Sequence, residues 1–282
     1  MAELLILGGI LLGTAESAIV KRYQTKHGKG GAVFTGILAL FALLFFLLTD
    51  TNGFYAPPEL LWYAIPAGIA YGVAYFFTLI ALGCGPFALS SLIISYSLMF
   101  LTVYGFVALK EPITLFTVSG LIAILISLFL VRAKKEEGGF SVKWLVSILL
   151  VWFGNGMIGV LRVMQQKKYT DAYNNDFMVI MLGVAVVLLF AIGFFKDGKD
   201  AKYIFRYGVP WGAAAGVLNA AHNAISIFVV TLIPVSVSSP LTAGLKIVVA
   251  FLFSHFAYKE RYSKRQLVGV ALGILAVVLL KL

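Results

Sequence analysis

The sequence predicts an all-α integral membrane protein, with ten transmembrane helices arranged as two inverted five-helix repeats around a central cavity. Three observations predict this. Ten apolar stretches, each long enough to cross a bilayer, fill nearly all of the 282 residues. Sequence landmarks recur between the two halves at a nearly constant offset. Basic residues gather in alternate loops.

The composition excludes an ordinary soluble domain. The chain is 61% hydrophobic and 12% charged, with a mean hydropathy of +0.98, whereas soluble domains carry about 25% charged residues. A spanning helix needs about 20 apolar residues, because the hydrocarbon core is about 30 Å thick and each residue rises about 1.5 Å. The stretches that meet this lie near 3–20, 32–49, 62–83, 87–108, 113–131, 143–164, 177–195, 208–231, 234–257 and 265–281. Alternating segments of about ten residues, the mark of a membrane barrel, are absent. The first span reads as a retained helix rather than a signal peptide, because Glu3 stands on its N-terminal flank and Lys21 and Arg22 follow it. A single cysteine, Cys84, leaves no internal disulfide to form.

The net charge of +10 reads as a topology signal rather than as a nucleic-acid surface. Sixteen basic residues fall in the loops after spans 1, 5, 7 and 9, among them Lys21, Arg132, Lys196 and Arg261. The opposite side holds five: Lys110, Arg162, Lys167, Lys168 and Lys281. Lys and Arg near span ends stay cytoplasmic. The odd-numbered loops are therefore expected inside a plasma membrane and both termini outside, with a secondary role for the charges at lipid headgroups. Trp62, Trp144 and Trp211 sit at span ends, where interfacial anchoring is expected.

The repeat rests on landmarks rather than on shared Leu, Val and Ala. Ala67-Gly68-Ile69 through Pro86 aligns without a gap on Ala215-Gly216-Val217 through Pro234, at an offset of 148. Beyond the prolines the offset is 149, pairing Ser90 with Ser239, Glu111 with Glu260 and Gly120 with Gly269. Nearer the start it is 141, pairing Gly13 with Gly154 and Lys21 with Arg162. Residues 1–135 and 140–282 form the two units. Five spans is an odd number, so the second unit is inverted relative to the first. Such repeats build secondary transporters whose site lies near mid-membrane between the halves.

Ten spans in a five-plus-five arrangement resemble the drug/metabolite transporter superfamily in its EamA-like branch. The Lys110-Glu111 and Lys259-Glu260 pairs at the ends of spans 4 and 9 carry the same resemblance. It implies a helical basket whose cavity is lined by spans 1–4 and 6–9, with spans 5 and 10 peripheral.

Ionisable groups inside a span normally face a cavity or a partner. Lys246 lies about twelve residues, or about 18 Å, from either end of span 9. Its surroundings, Thr242-Ala243-Gly244-Leu245-Lys246, are similar to the Gly-x-x-Lys stretch of nucleotide-sugar and triose-phosphate transporters, where the lysine meets anionic substrate. Leu245 and Ile247 stand where those relatives carry Asn and a second basic residue. Glu16 stands five residues before Lys21. Intramembrane carboxylates of this kind serve proton relays, so Glu16 is the candidate for coupling. The segment Leu7-Gly8-Gly9 with Lys21 is similar to small multidrug resistance proteins, whose first-span Glu binds protons and cations. Here Gly13 fills that slot and Glu16 follows nearly one turn later.

Further polar residues share the depth of Lys246. They are Tyr71 and Tyr75 in span 3, Ser95 and Tyr96 in span 4, Asn155 in span 6, and Asn219, His222 and Asn223 in span 8. Trp152 is a deeper aromatic that could line the same space. Interhelical hydrogen bonding at about 0.6 kcal/mol per contact is the competing reading for each one alone. As a layer they predict a site for a small polar solute.

The expected function is a secondary transporter of a small organic metabolite, anionic or zwitterionic if Lys246 dominates. A proton-coupled exporter of organic cations is the alternative if Glu16 dominates, and a channel or scaffold subunit is a further one. No Gly-x-x-x-x-Gly-Lys-Ser/Thr occurs to bind ATP. No enzyme is expected from twelve scattered acids. Nor is a metal or cofactor, since His222 and His255 have no ligand-spaced partner. Expected partners are the metabolite and membrane lipid, without nucleic acid. Gly269-xxx-Gly273 permits close helix approach, so a homodimer through the last helix could form.

Overall fold

A computed structural model describes residues 2–28, 31–50, 53–85, 90, 93–94, 96–131, 141–170, 172–258 and 263–279. Among these, ten α-helices follow one another: α1 Ala2–His27, α2 Gly31–Thr49, α3 Leu61–Cys84, α4 Leu98–Val107, α5 Leu115–Val131, α6 Val142–Lys168, α7 Asn174–Lys196, α8 Ala201–Leu232, α9 Val235–Tyr258 and α10 Lys264–Leu279. The protein is therefore all-helical over the described residues, and seven of its helices are long and apolar enough to cross a membrane. Large apolar side chains lie bare on its outer surface, including Leu48, Phe194, Phe195 and Leu275. That surface suits acyl chains rather than water.

Several helix ends run past the apolar stretches. The first helix continues to His27 and the eighth begins at Ala201. Lys21, Arg22, Lys202 and Arg206 thus sit on helix rather than in loops. Long basic side chains permit this by laying their stems along apolar surface with the charge at the interface.

Two helix starts are capped from across the bundle rather than locally. Asp197, after α7, accepts from the Ala32 and Val33 amides at 2.8 and 2.9 Å, capping α2. Glu111, after α4, accepts from Val235 and Ser236 at 3.1 and 2.7 Å, capping α9. Lys110 reaches this turn with a φ of 54°. The tenth helix starts with a local capping box, in which the Ser263 amide donates to Gln266 Oε1 at 2.8 Å.

These bonds sort the helix ends onto two faces. On one, Asp197 meets α2, His27 meets Tyr203 at 2.9 Å, and Arg265 donates to the Phe129 carbonyl at 3.3 Å. On the other, Lys168 pairs with Glu59 at 2.6 Å, Asp176 accepts from the Tyr55 amide at 2.8 Å, and Glu111 holds α9. The Lys168 ammonium holds Glu59 below the usual carboxylate range. The helix ends joined on the first face flank the odd-numbered connections, and those joined on the second flank the even-numbered ones.

The main helix pairings recur five helices on. α1 packs on α8 as α6 packs on α3; α2 packs on α8 as α7 packs on α3; α2–α7, α4–α9 and α5–α10 pair directly. Glycines mark the closest approaches. A Cβ on Gly68 would press on the Met181 carbonyl and Val184 of α7, and one on Gly216 would press on the Leu38 carbonyl and Phe41 of α2. Gly212 likewise seats Ile37. Gly269 and Gly273 are buried, and the Gly269 carbonyl accepts from Ser127 of α5 at 2.6 Å. That small-residue stripe is therefore occupied within the chain.

Trp144 departs from the interfacial reading. It is buried, with its indole donating to Ser90 at 3.1 Å. Pro86, Ser95, Lys259 and Glu260 lie outside the described residues.

Candidate functional site

Six helices enclose a cavity of about 190 Å³. α1 gives it Gly9, Gly13, Glu16 and Ser17; α3 gives Tyr71, Tyr75 and Thr78; α6 gives Asn155, Gly159 and Arg162. α8 supplies His222, Asn223 and Ser226, α9 supplies Ser238, Ser239, Thr242 and Lys246, and α4 supplies Leu98 and Leu101. Each set follows a three-to-four-residue spacing, the period that keeps side chains on one helix face.

A continuous polar network forms one wall. The Tyr71 hydroxyl donates to Asn219 Oδ1 at 2.7 Å. Asn219 Nδ2 donates to both Glu16 oxygens at 3.3 Å and to the Tyr75 hydroxyl. Asn223 Nδ2 donates to Asn219 Oδ1 at 3.2 Å, and Asn223 Oδ1 accepts from Arg162 at 3.4 Å. The tyrosine rings stack at 4.1 Å. The chain of bonds thus runs from a buried carboxylate to a buried guanidinium. Buried polar groups are costly unless bonded, and here they bond to each other across α1, α3, α6 and α8. Asn219 itself is fully buried and underlies the cavity wall.

Lys246 stands opposite, half-buried. It interacts electrostatically with Glu16 and Arg162, but no hydrogen bond or ion pair holds its ammonium among the described residues. His222 is fixed in place, with Nδ1 2.7 Å from the Gly9 carbonyl, and its ring packs over Gly13.

The cavity lies at mid-bundle and extends toward the even-loop face. It draws on α1 as far as Ser17, on α3 as far as Thr78, on the first half of α9 and on the last third of α8. Toward the other face the bundle is closed: Tyr23 stacks on Phe34 at 3.7 Å, within a cluster holding Val20, Leu79, Leu82 and Ile204. The fourth span is not one helix. Tyr96 and Ser97 form a turn with bonds to Ile93 and Ile94 at 3.1 Å, ahead of α4. Mid-helix tightening of this kind marks hinges.

Of the residues expected from the sequence, Glu16, Tyr71, Tyr75, Asn155, His222, Asn223 and Lys246 come together around this cavity, with Asn219 behind them. Two do not. Tyr96 packs against the Ala81–Trp144–Ile148 cluster, and Trp152 lies against Phe100, 4.8 Å between ring centres. Both have the right depth but face away. Arg162 was expected as a flanking charge; it lines the cavity and is 9% exposed. In the sequence it stands two residues before the end of the sixth apolar stretch, the place of a flanking charge; the helix continues to Lys168. The serine and threonine hydroxyls of α8 and α9 carried no comparable mark.

Comparison with known proteins bears on the whole arrangement. Residues 144–282 match the model of the EamA-like transporter family. A solved protein structure superposes with a TM-score of 0.70 over 100% of this chain and 98% of its own, at 15% identity, which is a likeness of fold. No curated protein matches the chain.

Proposed function

Residues 144–282 of this chain belong to the EamA-like transporter family, and from that premise we propose that it moves a small polar metabolite, anionic or zwitterionic, across the plasma membrane. Its family comprises membrane transporters rather than enzymes. The mechanism proposed is alternating access by two inverted five-helix units, residues 1–135 and 140–282, rocking about the cavity.

One observation carries the substrate class: among the described residues, the cavity presents Lys246 and Arg162 against a single carboxylate, Glu16. Formal charge is one positive in excess, so a solute with a carboxylate or similar oxyanion is favoured over an organic cation. The volume agrees. About 190 Å³ equals the share of roughly six waters at about 30 Å³ each, and falls below the roughly 300–1,000 Å³ of drug-sized sites. The recurring helix pairings and the matched contacts of Gly68 and Gly216 support the two-unit reading. The positive-inside rule puts both termini outside, which makes the cavity outward-facing and the Tyr23–Phe34 cluster the closed inner gate. Glu16 is the proposed coupling group. A homodimer through the last helix would use the outward face of α10, where Leu267, Val268, Ile274 and Leu275 are bare.

The test is solute counterflow in proteoliposomes loaded with a mixture of small polar metabolites and read by mass spectrometry. Small carboxylates or amino acids exchange in the wild type and not with Lys246→Ala. Exchange unchanged by that substitution would remove the anion reading.

A further inference from the structure

We propose that Arg162 is the oxyanion-binding group of the cavity and that the chemistry it selects is a carboxylate. The inference rests on the transporter reading and deepens it. Arg162 is 9% exposed and lines the cavity. Its Nε is buried and reaches no acceptor among the described residues. Its one hydrogen bond, to Asn223 Oδ1, is long at 3.4 Å. Among the described residues no carboxylate pairs with it in a salt bridge. A guanidinium carries five donors in a planar fork that fits a carboxylate with two parallel bonds. Buried arginines otherwise find such a partner within the protein; here the space beside the guanidinium is the cavity itself.

The backbone is shaped to hold it there. Gly156 and Gly159 let Phe100 and Leu101 of α4 press directly on α6, and Val163 packs with Leu101. That fixes the turn from which Arg162 projects. Lys246 supplies a second positive charge nearby, as a point charge without a fork. Glu16, bonded to Asn219, stands at the other end of the network, where an ammonium would be received. A solute bearing both groups would span the two ends; one bearing only a carboxylate would still take the Arg162 end.

The experiment is thermal unfolding of the purified full chain with three small solutes that differ in their charged groups: propionate, alanine and ethylamine. Variants are Arg162→Met and Arg162→Lys. A ligand that binds only the folded form raises the midpoint. Propionate and alanine raise it in the wild type and ethylamine does not. Arg162→Met matches or exceeds the wild-type midpoint without solute, because it removes a charge that no internal group neutralises. Its carboxylate affinity falls at least about 30-fold, the loss expected when one partner of a buried charge pair is truncated. Arg162→Lys keeps the charge but loses the fork and falls between. A wild type stabilised by neither carboxylate overturns the inference, as does Arg162→Met responding like the wild type or unfolding at a lower midpoint when empty. If Arg162→Met does not fold, an unchanged carboxylate affinity in Arg162→Lys overturns it. A chain that exchanges solutes in counterflow yet ignores carboxylates sinks this inference and leaves the transporter reading; one that exchanges nothing sinks that reading instead.

Discussion

The Tyr71 hydroxyl donates to Asn219 Oδ1 at 2.7 Å, and the two residues stand 148 positions apart, the offset that aligns Gly68 with Gly216. Tyr75 and Asn223 share that offset and join the same network. Two copies related by a two-fold axis bring a residue onto its own counterpart only beside that axis, as at an isologous interface. The quartet therefore marks where the axis of the proposed repeat would pass. Tyr71→Phe removes one of two donors to Asn219 Oδ1 and should cost about 0.6 kcal/mol. Asn219→Leu strips Glu16 and Tyr75 of their shared donor and should cost about 1–3 kcal/mol. Denaturant unfolding in detergent ranks the two; equal costs would show that the network is not centred on Asn219.

The matched glycines make a second prediction. Gly68→Ala and Gly216→Ala each drive a methyl into a facing carbonyl oxygen, of Met181 and Leu38. Backbone cannot yield as a side-chain tip can, so each should destabilise by about 1–3 kcal/mol. Gly183 has nothing within 4 Å of its would-be Cβ. Gly183→Ala should be neutral or stabilise by up to about 1 kcal/mol through helix propensity. The same unfolding assay separates them.

Hydropathy made the ten helices legible, because a long apolar run has few other uses. It misplaced their ends where Lys21, Arg22, Lys202 and Arg206 ride on helix at the interface. Depth was legible too, but depth gives a layer and not a direction. Tyr96 and Trp152 sit at the right height and face away from the cavity, whereas Asn155, Gly159 and Arg162 follow one face. Arg162 was hidden because an arginine near a span end resembles a flanking charge. Only the continuation of α6 to Lys168 puts it inside.

Glu111 caps α9 from the end of α4. Glu111→Ala should cost about 0.5–2 kcal/mol, the range for a lost N-cap. A Cβ on Gly105 would meet Glu111 Oε2 at 2.6 Å, so Gly105→Ala should displace the same carboxylate. Combined, the two substitutions should cost less than their sum. Strict additivity in a double-mutant cycle would mean that Gly105 does not act through the cap.

Glu16 is held by Asn219 and is the one carboxylate lining the cavity among the described residues. Glu16→Gln keeps the shape and removes the titrating group. Transport by this variant should lose its dependence on an imposed pH gradient while solute exchange continues. A dependence equal to wild type would assign coupling elsewhere.

Accessibility of the cavity decides the central claim most directly. With Cys84→Ser removing the sole native thiol, Asn155→Cys places one cysteine on the cavity wall. A membrane-impermeant maleimide is added to oriented proteoliposomes, first outside and then inside. Alternating access predicts labelling from either side, slowed by a transported solute. Labelling from neither side, with the unfolded protein labelling normally, would contradict a solute cavity between two moving halves.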